Sequence, residues 1–87
     1  LRVEVKTAST LTYKSFYSFN CARGSRVKKV VNKDDCDILA LVAADIKSVI
    51  FYPVSEIKVV RKRCKARDFV NEIESLRYSI KKAKENK

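Results

Sequence analysis

Histidine and methionine are absent from this 87-residue chain, which also holds a single glycine, Gly24, and a single proline, Pro53. Without histidine, neither a Ser-His or Cys-His nucleophile pair nor a histidine-ligated zinc site can be assembled within the chain. Any catalysis must therefore run on carboxylates and lysines. The three cysteines, Cys21, Cys36 and Cys64, are odd in number, widely spaced and without a C-x-x-C. That pattern argues against a disulfide framework or a zinc knuckle and for reduced, semi-buried thiols. No apolar run approaches the roughly 20 residues needed to span a bilayer, and no signal-peptide pattern opens the chain. The expected setting is cytoplasmic, with no membrane partner. The missing methionine, with a leading leucine too large to follow a removed initiator, leads us to expect an N-terminal part that was truncated, cleaved off or supplied separately.

What is present is basic charge. Twenty Lys and Arg oppose ten Asp and Glu, a net charge of +10, and an excess of this size in so short a chain points to a polyanionic partner, nucleic acid first. The 46% hydrophobic content is that of a folded domain rather than a disordered tail. A domain this small buries only roughly 60 to 65% of its unfolded surface, so the expectation is one domain over residues 1–87 with a modest core.

Residues 1–8 alternate, with Val3 and Val5 on one face and Arg2, Glu4 and Lys6 on the other, the period of a strand. A Ser- and Thr-rich turn follows, and residues 15–21, carrying Phe16, Tyr17 and Phe19, read as a second strand that would close a hairpin with the first. Residues 22–34 form a basic loop. Residues 36–43 are a continuous apolar run, as in a strand buried on both faces. The chain turns at 45–48 and returns over 49–54, ending near Pro53, which cannot donate to a ladder. Residues 58–67 hold the densest basic stretch, of ambiguous secondary structure, and read as a connector. Asp68 is placed as an N-cap of an amphipathic helix over 68–87, with Phe69, Ile73, Leu76 and Ile80 at helical spacing. The fold class is α/β, a mixed sheet of about four strands over residues 1–57 with a C-terminal helix.

Glu4 and Lys6, two apart on a strand, project to the same side. A carboxylate beside an ammonium suits phosphodiester hydrolysis, because the carboxylate can hold Mg²⁺ and the lysine can orient water or stabilise developing charge. Alone, the same spacing also describes a solubilising ion pair. The context is Val-Glu-Val-Lys-Thr-Ala, then Phe-Tyr-Ser-Phe-Asn, then Asp-Asp-Cys-Asp-Ile-Leu-Ala-Leu-Val, then Val-Ile-Phe-Tyr-Pro-Val-Ser-Glu-Ile. This order resembles the PD-(D/E)XK endonucleases associated with group I introns and, more distantly, archaeal Holliday junction resolvases. The resemblance covers residues 1–57, about two thirds of the chain.

The resemblance implies a restriction-endonuclease-like core and a Mg²⁺-dependent DNA endonuclease, with Mn²⁺ as a substitute. In it Glu4 is a metal ligand, the backbone carbonyl of Val5 a second ligand and Lys6 the catalytic lysine. The family's first acidic ligand lies on a preceding strand, so the expectation is that it comes from an upstream segment or another copy in a homo-oligomer. Asp34, Asp35 and Asp37 read instead as turn or structural residues.

Arg23, Arg26, Lys28 and Lys29 beside Gly24, and Arg61, Lys62 and Arg63 in the later run, are the candidate DNA contacts. Each segment is equally a solvated basic face. Tyr13 and Tyr17 are candidates for base stacking or for cross-strand packing. The alternative function is a non-catalytic nucleic-acid-binding module with a nuclease-like sheet. A basic protein-interaction module is a third reading.

Overall fold

The computed structural model describes residues 1–23 and 29–85. It is a small α/β domain built on a mixed three-stranded sheet. The strands, in chain order, are β1 (Val3–Ala8), β2 (Tyr17–Asn20), β3 (Ala22–Arg23), β4 (Lys29–Val30), β5 (Ile38–Ala43), β6 (Ser48–Pro53) and β7 (Arg61–Cys64). Helix α1 (Glu72–Glu85) closes the chain. The sheet order is β1-β5-β6, parallel between β1 and β5 and antiparallel between β5 and β6. No helix among the described residues is long and apolar enough to cross a membrane.

The apolar run becomes β5, the central strand, with Ile38, Leu39, Ala40, Leu41 and Ala43 all buried. A strand with layers on both faces has no polar side to show, so continuity of the run replaces alternation. A 3₁₀ turn, Ala44–Ile46, joins it to β6, with Lys47 left-handed at φ 51°.

The expected hairpin between the first two strands does not form. β1 pairs with β5, whereas β2 pairs antiparallel with β7 in a separate two-stranded ribbon. The chain leaves the plane of the sheet at the turn closed by the Thr12 to Phe16 hydrogen bond of 2.7 Å, where Tyr13 and Lys14 take positive φ. That exit lets Tyr17 and Phe19 turn inward and bury, which a position beside β1 in the first sheet would deny them. The connector expected over 58–67 contains β7, because β2 offers its Arg-Lys-Arg-Cys run a pairing edge. Cys21 joins the ribbons through its backbone: its N–H donates to Val60 and its carbonyl accepts from Val31.

The core lies between this ribbon layer and one face of the sheet. Leu39, Leu41 and Ile50 meet Tyr17, Phe19, Cys21, Cys64 and Phe69. Tyr17 packs edge-on against Phe69 at 5.4 Å between ring centroids, and its hydroxyl donates to Asp45 at 2.7 Å. On the opposite face α1 packs against β6 and touches β5.

The helical segment also differs from its sequence pattern. Asp68 is not the N-cap of a helix over 68–87; its carboxylate accepts from the Lys65 N–H and closes a 3₁₀ turn, Ala66–Val70. The α-helix begins beyond Asn71, whose carbonyl accepts from Ser75 N–H. This break rotates the buried stripe: Phe69 reaches the core from the 3₁₀ turn, Ile73 is 65% exposed, and Ser79 and Ala83 are the buried positions of α1. Small residues allow the helix to approach the sheet closely, and Ser75 Oγ accepts a hydrogen bond from the outward-facing Phe51 N–H of β6.

Lys47 holds a conformation that disfavours a side chain with a Cβ. Replacing it by glycine is expected to stabilise the fold by about 0.5–1 kcal/mol, the strain removed exceeding the entropy added. An upward shift in the urea midpoint at unchanged slope checks this.

Candidate functional site

Glu4 and Lys6 stand on β1 at the edge of the sheet, their side chains turned toward the face that the ribbon covers. The registers place Glu4 opposite Leu39 and Tyr52 in one cross-strand row, and Lys6 opposite Leu41 and Ile50 in another. β2 packs against β1 from above. In consequence the charged side of β1 is the sheltered one: Lys6 keeps 26% and Glu4 43% of its side-chain exposure, and Lys6 Nζ lies 3.8 Å from Glu4 Oε2. The apolar side is the open one, Val3 being 48% and Val5 59% exposed. Helix α1 covers β6 and β5 but leaves β1 bare on that face.

The backbone of β1 has a second asymmetry. Arg2 directs its carbonyl at β5, accepting from Asp37 and Ile38 N–H. Along a strand successive residues direct their backbone groups to opposite sides, so Glu4 and Lys6 bond to β5 while Val5 points its carbonyl to the other edge, where no strand pairs among the described residues. Glu4 thus offers a carboxylate and Val5 a neighbouring carbonyl, two hard oxygen donors of the kind Mg²⁺ accepts alongside water and phosphate. Among the described residues no group of three or more His, Cys, Asp and Glu is arranged to hold a metal.

The nearby aspartates are committed elsewhere. Asp37 accepts from the Arg2 N–H at 2.7 Å and lies 3.7 Å from its guanidinium, while the two Arg2 terminal nitrogens donate to the carbonyls of Asp34 and Lys33. Asp35 accepts from the Asn32 N–H in the same turn. These groups lock the entry to β5, a role for Arg2 that its exposed place in the sequence pattern did not reveal.

The basic run of β7 separates by alternation. Arg61 and Arg63 pair with Asn20 and Ser18 and face outward, Arg61 donating to Ser18 Oγ at 3.3 Å and Arg63 lying 4.8 Å above the Phe16 ring. Lys62, opposite Phe19, turns inward and rests its ammonium 4.9 Å from the centre of the Tyr52 ring. One sequence motif therefore serves two surfaces. Lys29 is exposed on β4, paired with Arg23 of β3. Arg26 and Lys28 lie outside the described residues. Tyr13 is exposed and Tyr17 buried, which leaves Tyr13 the one available for stacking. Tyr52, absent from the sequence-derived candidates, is the ring beneath Lys62.

The three thiols are free and buried. Burial pushes Cys21 up; a hydrogen bond with the Lys62 backbone and the charges of Lys6 and Lys62 pull it back, and Glu4 pushes it up again. Cys36 is pushed up to about 11 from its ordinary 9.0, by burial first and then by Glu4 and Asp35. Cys64 is also raised, mainly by burial, and Tyr52 is raised by burial and by Cys64. The cysteines are protonated packing residues. A cleft of about 690 Å³, lined by Val31, Asn32, Asp37, Val54, Ile57 and Ala83 among others, does not include Glu4 or Lys6.

No family model matches the chain, and neither a curated protein nor a solved structure does.

The Cys36 shift carries a pH dependence. Below pH 9 the thiol is protonated in both folded and unfolded chains and its contribution is complete; between 9 and about 11 the unfolded chain loses its proton first, so stability falls as pH rises. Urea midpoints measured from pH 8 to 11 are expected to decline, and Cys36→Ala is expected to decline less steeply. Equal slopes would contradict the assignment.

Proposed function

We propose that this chain is the catalytic core of a Mg²⁺-dependent DNA endonuclease of the PD-(D/E)XK type, of the homing-endonuclease or resolvase kind. The observation that carries the reading is the sheltered Glu4–Lys6 pair on an edge strand, with the Val5 carbonyl directed to the open edge. On this reading the mixed sheet and its flanking helix are the restriction-endonuclease-like core. Glu4 and the Val5 carbonyl hold the cation, for which Mn²⁺ substitutes. When bound, it lowers the pKa of the attacking water and screens the phosphate charge.

Lys6 does the rest of the local work. Its ammonium donates to the water or to a non-bridging phosphate oxygen, favouring the charge that builds at phosphorus. The sheltering layer strengthens this interaction by excluding bulk solvent from one side of the pair. Glu4 fixes the Lys6 ammonium in the meantime, so the lysine arrives oriented. The reading requires a further carboxylate, supplied by a segment or by a second copy pairing at the open edge of β1. Arg61 and Arg63 on the outer ribbon face and Lys29 on β4 contact DNA phosphates, which they can do in either of two functional classes.

The second class, a binding module without catalysis, is favoured by the absence of a three-carboxylate metal group among the described residues and by the +10 charge. Cleavage separates the two. With Mg²⁺ and the full-length protein, Glu4→Gln and Lys6→Ala are expected each to lower the cleavage rate at saturating DNA by at least about 100-fold, while DNA affinity changes little. Unchanged cutting in both variants rules the nuclease reading out. Arg61→Gln and Arg63→Gln are expected to weaken binding to all sequences and to flatten the log affinity against log salt slope by about 1 each. A titration across salt concentrations measures it.

A further inference from the structure

We infer that the open edge of β1 pairs antiparallel with β1 of a second copy of this chain, about a two-fold axis through Val5, so that Glu4 of each copy meets the partner's Lys6. The two outer edges of the sheet are unequal. On β6 the Phe51 N–H is taken by Ser75 Oγ, whereas no strand pairs with the outer edge of β1 among the described residues. The residues that direct their backbone groups to that edge are Val3, Val5 and Thr7, and all three are exposed. Opposed antiparallel, they form hydrogen-bonded pairs, each exchanging both backbone bonds. Val5 pairs with the partner's Val5, and Val3 with the partner's Thr7, giving an unbroken sheet in the order β6-β5-β1-β1-β5-β6.

Charge selects this register. With Val5 on the axis, Glu4 stands directly opposite the partner's Lys6 and Lys6 opposite the partner's Glu4, in the closer, non-hydrogen-bonded positions of the ladder. An isologous interface makes both contacts at once. The neighbouring registers lose them: one sets Glu4 against the partner's Glu4 and Lys6 against the partner's Arg2, the other sets Lys6 against the partner's Lys6, and like charges directly opposed are destabilising. An axis on Val3 would shorten the ladder and call on Arg2, whose guanidinium is already bonded to the carbonyls of Lys33 and Asp34. Parallel pairing of the same edges puts the charges of one copy beside the valines of the other. The opposite face of the sheet gains as well. Val5, 59% exposed, meets the partner's Val5, and Val3, 48% exposed, meets the partner's Thr7. Helix α1 lies over β6 and β5, which leaves that face of β1 clear for the join.

The dimer bears on catalysis, and this consequence rests on the nuclease reading while the dimer itself does not. The two Glu4 residues, one from each copy, lie diagonally across the join, about 7–8 Å apart. The partner's Glu4 is then the further carboxylate that the reading requires. A backbone carbonyl carries two lone pairs, so Val5 can accept from the partner and keep one for the cation.

Sedimentation equilibrium of the full-length protein is expected to show a reversible monomer–dimer equilibrium. Glu4→Lys and Lys6→Glu each oppose like charges at both symmetric positions and are expected to weaken it by at least about tenfold; the double exchange Glu4→Lys/Lys6→Glu is expected to restore it. Near-UV circular dichroism shows that each variant is folded. Amide exchange followed by NMR tests the unaltered chain. The Val5 N–H is expected to be protected in the dimer and to exchange freely on dilution to the monomer, whereas the Glu4 and Lys6 N–H groups, bonded to β5, stay protected in both. A monomer at every concentration overturns the inference, as does a dimer whose Val5 amide exchanges freely. Protection of Val5 in a monomer means that another segment of the chain fills the edge, and overturns it too. Single variants that associate as tightly as the unaltered chain, or a double exchange that stays weak, place the dimer contact elsewhere. If the protein cuts DNA with Mg²⁺ as a monomer, the inference fails and the nuclease reading stands; if the dimer forms in this register and does not cut, the nuclease reading fails and the dimer remains.

Discussion

Strand β5 is hydrogen-bonded on both edges and covered on both faces, and each other layer takes its position from it. β1 and β6 pair along its two sides, the β2–β7 ribbon lies on Leu39 and Leu41, and α1 approaches the face that carries Ile38 and Ala40. Burial of each large aliphatic side chain contributes about 1.5–3 kcal/mol, and a small domain has few such residues to rely on. The Arg2 clamp on the preceding turn makes the same point in polar terms. One guanidinium satisfies two carbonyls and an aspartate at the start of the strand, so the entry to β5 and the first residues of β1 are held as a unit. Glu4 and Lys6 inherit that rigidity, being two and four residues farther along β1.

The sheet sorts charge in an unexpected direction. In an ordinary half-buried strand the valines would face the core and the charges the solvent. β1 does the opposite because the layer above it is a ribbon with its own inward aromatics, while the helix that would have covered Val3 and Val5 lies over the far side of the sheet. The polar row is thereby placed where water is partly excluded and where side chains from a second layer can reach it. The electrostatic interaction between Glu4 and Lys6 is stronger there than on an open surface.

The strands legible in the sequence were those whose patterns were set locally. The apolar run of β5, the turn at 45–48 and the return through β6 appear where expected, because each depends on residues within a few positions. Pairing did not follow from the same signals. Nothing in residues 9–14 announces that Tyr13 and Lys14 adopt left-handed backbone angles and lift the chain out of the sheet, and so the ribbon with β7 was invisible. Arg61, Lys62 and Arg63 looked like one basic patch; they separate only once β7 is known to be a strand, since alternation then puts the middle residue on the other side. The helix stripe failed for a related reason. A 3₁₀ turn before Asn71 changes the phase between Phe69 and the residues beyond it, so a single period drawn through Phe69, Ile73, Leu76 and Ile80 joins two separate elements. Glu4 and Lys6, by contrast, sit side by side as their spacing required.

The two outer edges of the sheet are finished differently. On β6 the helix reaches over and Ser75 receives the Phe51 N–H, so a strand arriving there would find that donor already occupied. On β1 the donors and acceptors of Val3, Val5 and Thr7 remain turned outward, beside exposed valines, a profile that invites another extended chain to add itself. The alternating Arg2, Glu4 and Lys6 are what oppose indiscriminate addition, since charges on an edge strand are a standard guard against self-pairing. These charges thus act as gatekeepers of solubility. Neutralising all three at once would remove the barrier that keeps this edge from seeding cross-β association.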